Sequence, residues 1–332
     1  MNRKLRWGIM GCAGIAVNSV MPAIRDSKTG ILTAIASRGL DKAKETAEAF
    51  GISRVYGSYE ELLADPGVDA VYIPLPNHLH REWVIRAAAA GKHVLCEKPL
   101  ALDAREAAEM VEACTKAGVH LAEAFMYRHH PRILQLKELI DGGVIGEVRV
   151  IRGAFTYNAA ADTGNIRFVS AWGGGSLYDI GCYPLSAARL LFGEEPEAVT
   201  AHALFSPEHD NVDMMASGMV EFSGGKSLIF ECGMWAFGRQ VLDIIGTEGR
   251  IEVPRPFNGS DDAAFTVHTK DGIREVDAEG ANPYTRQADD FAEAVFGGKP
   301  RYVPADAVLN MMLIEACLHS ARTRERVNLS RP

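Results

Sequence analysis

The chain has 332 residues with 35 basic and 43 acidic side chains, a formal net charge of −8, and it is long enough for two domains that each bury a core of their own. No long basic run interrupts the acidic balance, which argues against nucleic acid and anionic membrane as partners. The six cysteines (Cys12, Cys96, Cys114, Cys182, Cys232 and Cys317) lack any Cys-x-x-Cys spacing, so reduced thiols are expected in place of a disulfide framework or a zinc site.

Arg6 and the following glycines leave too short an apolar core for a signal peptide. No segment reaches the roughly 20 apolar residues that span a bilayer. A soluble, cytoplasmic protein is expected.

From the N-terminus, short apolar runs alternate with helical patterns. "LRWGIM" precedes a helix, "LTAIAS" precedes "DKAKETAEAFG", "DAVYIPL" precedes "HREWVIRAAAAG", and "HVLCE" precedes "DAREAAEMVEACTKAG", with "HLAEAF" next. This rhythm predicts a parallel sheet covered on both faces, hence an α/β domain over residues 1–125. Asp41 and Asp103 are expected as N-caps, and Gly51, Gly91 and Gly118 as C-terminal caps. Beyond about Gly146 the pattern becomes strand-rich, with "EVRVIRGAFTY", "EAVTAHALF", "MMASGMVEF", "KSLIFECGMW" and "RQVLDIIG". Residues 126–332 are therefore expected to form an α+β domain on an open, mainly antiparallel sheet. Its helices are expected at "SLYDIGCYPLSAARLLFG" with Ser176 as N-cap, at Thr285 to Phe296, and at Ala305 to Arg324.

The first strand runs into "GIMGCAGIA", a variant of the dinucleotide fingerprint in which Gly11, Cys12, Ala13, Gly14 and Ile15 form the turn and Ala13 stands where the second glycine is usual. Such a turn offers backbone N–H groups and a helix N-terminus to a pyrophosphate. The second strand ends in Ser37 and Arg38, with Lys42 in the next helix, where an NAD enzyme carries an acid. A hydroxyl and two cations suit a 2′-phosphate, so NADP(H) is expected, with NAD(H) as the alternative cofactor. The alternative for Arg38 is a solvated strand end. His78, His80, His129 and His130 lack further ligands at metal spacing, and no metal site is expected.

Ligands of open α/β sheets lie outside the carboxyl ends of the strands, which here carry "YIPLPNHLH" and "CEKPL". Lys98 therefore stands at the nicotinamide end of the cofactor site. Asp179 and Tyr183, four residues apart, share one face of the helix that follows "GGGS".

Together "GIMGCAGIA", "PNHLH", "EKP" and "GGGSLYDIGCYPL" resemble the Gfo/Idh/MocA family of NAD(P)-dependent oxidoreductases over essentially the whole chain. Tyr183 in place of the histidine found in many members resembles the branch of glucose–fructose oxidoreductase, dimeric dihydrodiol dehydrogenase and NADP-dependent D-xylose dehydrogenase. The resemblance implies an N-terminal Rossmann domain, a C-terminal open-sheet domain with the last helix returning toward the first, and a cis bond between Lys98 and Pro99. It implies Lys98, Asp179 and Tyr183 as catalytic and substrate-binding residues. It places Pro74, Leu75, Asn77, His80 and Glu97 at the cofactor. Arg167 matches the second residue of a cofactor-binding Trp-Arg pair, with Ile166 replacing Trp. Tyr284 is a candidate substrate contact, its alternative role being to seal a helix N-terminus.

The expected activity is hydride transfer at a sugar carbon, as an aldose 1-dehydrogenase of the D-xylose or D-glucose type. Ketosugar or 1,5-anhydrofructose-type reduction, dihydrodiol oxidation and a non-catalytic dinucleotide sensor are the alternatives. A homodimer or tetramer joined through the C-terminal sheet is expected, because strands such as "ASGMVEF" and "LIFECGMW" carry apolar residues on both faces.

Overall fold

The computed structural model describes residues 3–258 and 263–329. Six strands form a wholly parallel sheet: β1 (Leu5–Met10), β2 (Gly30–Ala36), β3 (Arg54–Tyr56), β4 (Ala70–Ile73), β5 (His93–Cys96) and β6 (Leu121–Glu123). Their order, β3-β2-β1-β4-β5-β6, reverses direction between β1 and β4. That reversal opens a crevice at the carboxyl ends of the two strands, where open α/β sheets take their ligands. The connecting helices are α1 (Met21–Asp26), α2 (Leu40–Phe50), α3 (Tyr59–Ala64), α4 (His80–Ala89) and α5 (Ala104–Ala117).

Asp103 caps α5 by accepting from the Glu106 N–H at 2.6 Å, and Gly51 and Gly118 end α2 and α5 in the left-handed region. Asp41 differs from expectation. Gly39 is the N-cap of α2, and Asp41 lies in the first turn, where its charge still favours the helix N-terminus. The strand β3 and helix α3 were absent from the sequence reading: three residues of strand and six of helix are too short to show a period.

Nine further strands form the second sheet. They are β7 (Val148–Asn158), β8 (Ala198–Ser206), β9 (Val212–Glu221), β10 (Ser227–Gly233), β11 (Trp235–Gly246), β12 (Gly249–Pro254), β13 (Phe265–Thr269), β14 (Gly272–Val276) and β15 (Val327–Asn328), in the order β14-β13-β12-β11-β7-β10-β9-β8-β15. All neighbours are antiparallel except β10 and β7. Helix α6 (Pro131–Asp141) precedes this sheet, and α7 (Cys182–Phe192) lies across β7 and β10, with the Pro184 ring against Gly153 of β7. The strands alternate accordingly: Leu228, Phe230 and Cys232 of β10 are buried on the α7 side, while Ile229 is 45% exposed on the other.

The chain divides into two compact units. One takes residues up to His129 together with Asn282–Val308, and the other takes His130–Ala281 together with residues from Leu309 onward. The single boundary expected between residues 125 and 126 is thus replaced by a division that the chain crosses more than once. The returning helix that packs wholly within the first unit is α8 (Pro283–Val295), not the final helix α9 (Ala305–Thr323), of which only the first turn belongs there. Apolar chemistry explains α8: Phe291 packs with its ring centroid 5.0 Å from both Trp7 of β1 and the His120 ring, tilted to each, and Ala288 and Ala292 join the same core.

Candidate active site

In the first unit the turn after β1 is shaped for a phosphate. Gly11 sits at φ +113, a conformation that side-chain-bearing residues rarely adopt, and an added Cβ would lie 3.3 Å from Leu75 Cδ2 and 3.6 Å from the Tyr59 hydroxyl. Cys12 is buried and Ile15 packs on the core, so these two residues offer only backbone to a ligand. The first helical hydrogen bond runs from the Val17 N–H to the Ala13 carbonyl, which leaves the preceding amides at the mouth of the turn. The helix begins with a π turn, Ala16–Val20, before α1.

At the end of β2 the Ser37 Oγ accepts from the Gly39 N–H at 3.2 Å and closes the turn, while Arg38 and Lys42 are exposed. Burial raises the Tyr59 phenol pKa against the nearby Arg38 charge, and that charge also depresses the pKa of His78, after the larger effect of burial. Arg38 is therefore held over the same turn as Gly11. Tyr59, invisible as a site residue in the sequence, is the side chain that does this. Residues 37 and 38 carry no acid, and a cofactor with a 2′-phosphate fits this edge better than one with a free ribose hydroxyl pair.

At the β4 and β5 ends the structure assembles a second cluster. The Lys98–Pro99 peptide bond is cis. Glu97 accepts a hydrogen bond of 2.6 Å from the Tyr72 hydroxyl, and burial followed by the Glu97 charge raises the Tyr72 phenol pKa. The Tyr284 phenol, on the first turn of α8, is pushed up to about 12 by burial and by Glu97, against a hydrogen bond to Ser19 and the Lys98 charge. Tyr284 thus belongs with Glu97 and Lys98. The N-terminus of α8 is capped by Asn282 instead, whose Oδ1 accepts from the Tyr284 N–H at 2.9 Å.

His80 differs from its expected role. It is fully buried, Nδ1 lies 3.1 Å from the Pro99 carbonyl and 3.2 Å from that of Leu100, and Nε2 lies 2.7 Å from the Leu75 carbonyl. Burial holds its pKa down to about 4 although the carbonyls raise it. The ring ties the turn carrying Pro74 and Leu75 to the loop carrying Lys98, and it presents no polar atom to a cofactor. Asn77 opens the short 3-10 turn Asn77–Leu79 beside it and is half-buried.

In the second unit a separate cluster surrounds the start of α7. A π turn, Leu177–Gly181, carries Asp179 directly into the α-helix that carries Tyr183. Such turns widen a helix locally and recur at functional positions. Asp179 is held at both oxygens: Oδ2 accepts from the Tyr157 hydroxyl at 2.6 Å and Oδ1 from the Arg167 Nε at 2.8 Å. The Arg167 pKa is raised, first by the Asp179 charge and then by the phenols of Tyr157 and Tyr183. Arg167 therefore answers the Asp179 carboxylate, and Ile166 beside it is 45% exposed. Tyr183 is buried between the rings of Phe155 and Phe257, each 5.4 Å away. Tyr157 escaped the sequence reading because a tyrosine at a strand end carries no pattern of its own. Among the described residues no group of three His, Cys, Asp or Glu side chains could hold a metal, and no helix is long and apolar enough to cross a membrane.

The family model for an oxidoreductase family with an NAD-binding Rossmann fold, Gfo/Idh/MocA, matches residues 5–125, and the model of its C-terminal domain matches residues 133–252. The chain belongs to the Gfo/Idh/MocA family. It is 40% identical to D-xylose 1-dehydrogenase (NADP(+)) 2 of Haloferax volcanii over 98% of this chain and 100% of that protein. Among solved structures it resembles the aldose-aldose oxidoreductase of Caulobacter crescentus complexed with glycerol, with a TM-score of 0.93, 30% identity and coverage of 98% and 100%. It also resembles KijD10, a 3-ketoreductase from Actinomadura kijaniata in complex with NADP and TDP-benzene, with a TM-score of 0.90, 34% identity and coverage of 96% and 98%. Like these relatives, this Gfo/Idh/MocA chain is an NAD(P)-dependent oxidoreductase.

Proposed function

We propose that this protein is an NADP(H)-dependent sugar oxidoreductase acting as an aldose 1-dehydrogenase of the D-xylose or D-glucose type. The observation that carries the reading is the Tyr157–Asp179–Arg167 network next to Tyr183, an acid and a phenol held on one helix by a cation and a second phenol. Similarity to an NADP-dependent xylose dehydrogenase supports the substrate class, and the acid-free end of β2 with Ser37, Arg38 and Lys42 supports the cofactor.

Gly11, Ala13 and Gly14 would hold the pyrophosphate through backbone, and Pro74, Leu75, Asn77 and Glu97 would line the nicotinamide half. Bound nicotinamide supplies the hydride acceptor in oxidation and the donor in reduction. Tyr183 takes the proton of the reacting hydroxyl and returns it in the reverse direction. A phenol has a reference pKa of about 10, so it serves as a base near neutrality only with a cation at hand. Arg167 is within electrostatic reach of that phenol, and Lys98 is the second cation assigned to the reacting oxygen. Asp179, fixed by its two donors, orients the substrate hydroxyls, and Tyr284 beside Lys98 extends the substrate surface.

The same groups run in reverse serve ketosugar reduction, and similarity to the 3-ketoreductase KijD10 makes this the second reading. The assembly inferred with it is a homodimer, or a dimer of dimers, through the outer face of the nine-stranded sheet. Met219 and Ile229 stand opposite each other there, 42% and 45% exposed, and Leu204 of β8 is 49% exposed on the same face.

A panel of aldoses, ketosugars and diols with both cofactors tests the substrate. Tyr183→Phe and Lys98→Ala test the mechanism: each loses about 10² to 10⁴ in kcat with cofactor binding retained. The double variant falls little below either single one, since the two act as a unit. Strictly multiplicative losses would refute the shared role.

A further inference from the structure

Asp213, at the start of β9, lies outside every motif that marks the site, yet the structure ties it to the segment that carries the acid and the phenol. It is 1% exposed. Its Oδ2 accepts from the Ser176 hydroxyl at 2.8 Å and from the Leu177 N–H at 2.7 Å. Ser176 was expected to cap the helix, but its backbone is already helical and its side chain makes no cap bond. The orphan N–H at this helix start is satisfied by a carboxylate from another element.

Gly175 sits directly beside that carboxylate. At φ +120, any Cβ added there would collide with Asp213 Oδ1. The same glycine holds both arms of the acid cluster: its N–H donates to the Arg167 carbonyl at 3.0 Å, and its carbonyl accepts from the Asp179 N–H at 3.0 Å.

We propose that Asp213 is a positioning residue for the reaction. By clamping Ser176, Leu177 and Gly175 it sets where Arg167, Asp179 and, about one turn later, Tyr183 stand. The inference rests on the proposed catalytic role of Asp179 and Tyr183.

The local chemistry gives a charged clamp a cost that a neutral one would avoid. Burial lifts the Asp213 pKa to about 6, against the Leu177 and Ser176 hydrogen bonds and the Arg322 charge. The groups facing it besides these are the Cys232 and Cys317 thiols, each raised first by burial and then by the Asp213 charge. Above pH 6 the protein therefore keeps a carboxylate where an amide of the same shape would be easier to bury.

The test uses Asp213→Asn, Asp213→Ala and Ser176→Ala in the full chain at pH 8, with Tyr183→Phe as reference. A merely structural role predicts that Tm falls and that kcat per active site is unchanged. Positioning predicts the opposite split. In Asp213→Asn, kcat falls about tenfold or more while Tm holds or rises and the Kd for NADPH, read from its fluorescence, stays within about twofold. Ser176→Ala, which leaves the carboxylate on Leu177, falls less, and Asp213→Ala falls most. Wild-type kcat in a folded Asp213→Asn, or in Ser176→Ala and Asp213→Ala together should the first not fold, overturns the proposal while Tyr183→Phe is inactive. An active Tyr183→Phe overturns the catalytic assignment as well, so the two failures are told apart.

Discussion

Replacing Arg38 by alanine is the sharpest probe of the cofactor site, because it removes one charge and leaves the fold of β2 untouched. The guanidinium is exposed, so its loss costs little stability. What it would remove is the proposed charge-assisted contact to the 2′-phosphate, worth roughly 1.5 to 3 kcal/mol, or about 10- to 150-fold in kcat/KM. Exposure and salt screening favour the lower part of that range. Against this, the guanidinium lies close to the Tyr59 phenol beforehand, which reduces the ordering cost of binding. The expected outcome is a loss of about tens-fold with NADP and less than about twofold with NAD, measured as initial rates from the absorbance of reduced nicotinamide. Arg38→Lys keeps the charge without the fork and falls between. Equal losses with both cofactors, or a wild-type enzyme that uses NAD as well as NADP, would refute the reasoning.

Light scattering at micromolar concentration is expected to give at least twice the 36.0 kDa of one chain, since Met219, Ile229 and Leu204 are exposed on one sheet face that a second copy would cover. A single-chain mass that does not change on dilution removes the sheet-face interface. Acid stability is expected to depend on His120, which borders a cavity of ≈ 40 Å³ and whose pKa is lowered to about 4, first by burial and then by the neighbouring His93 charge. The unfolded chain takes up this proton near pH 6.5, so the stability present above that pH is lost as pH falls toward 4, by about 3 kcal/mol at most. His120→Phe keeps the ring contact with Phe291 and should flatten the decline of Tm between pH 6.5 and 4. An unchanged slope would place the acid sensitivity elsewhere.

The first unit was legible because its signals are local. Strand periods, the Asp103 cap and the Gly51 and Gly118 stops all lie within a few residues of what they determine. Helix α8 was read as a helix but assigned to the wrong unit. An amphipathic pattern reports that a face must be covered, and says nothing of which sheet covers it. Here Trp7 lies 284 positions before Phe291, which shields it together with its neighbours. The outer sheet face shows the same limit. Alternation of apolar residues on both sides of β9 and β10 was visible in sequence, but the register that sets Met219 against Ile229 comes only from pairing.

The candidate site divides along the same line. Gly11, Arg38, Lys98, Asp179 and Tyr183 sit in short stretches whose order is recognisable, and each stands at a strand end or helix start. Their supporting groups do not. Tyr59, Tyr157 and Asp213 reach their partners Arg38, Asp179 and Ser176 from separate elements, and a lone tyrosine or aspartate on a strand carries no sequence pattern that marks such a task. Ser176 illustrates why. A serine before a helix satisfies the capping rule, and only the nearby carboxylate diverts its hydroxyl from the helix to Asp213. A reading from sequence finds candidates for the chemistry, because their types are few. It misses the groups that fix their geometry, because any polar side chain at the right distance will serve, and that distance is a property of the fold.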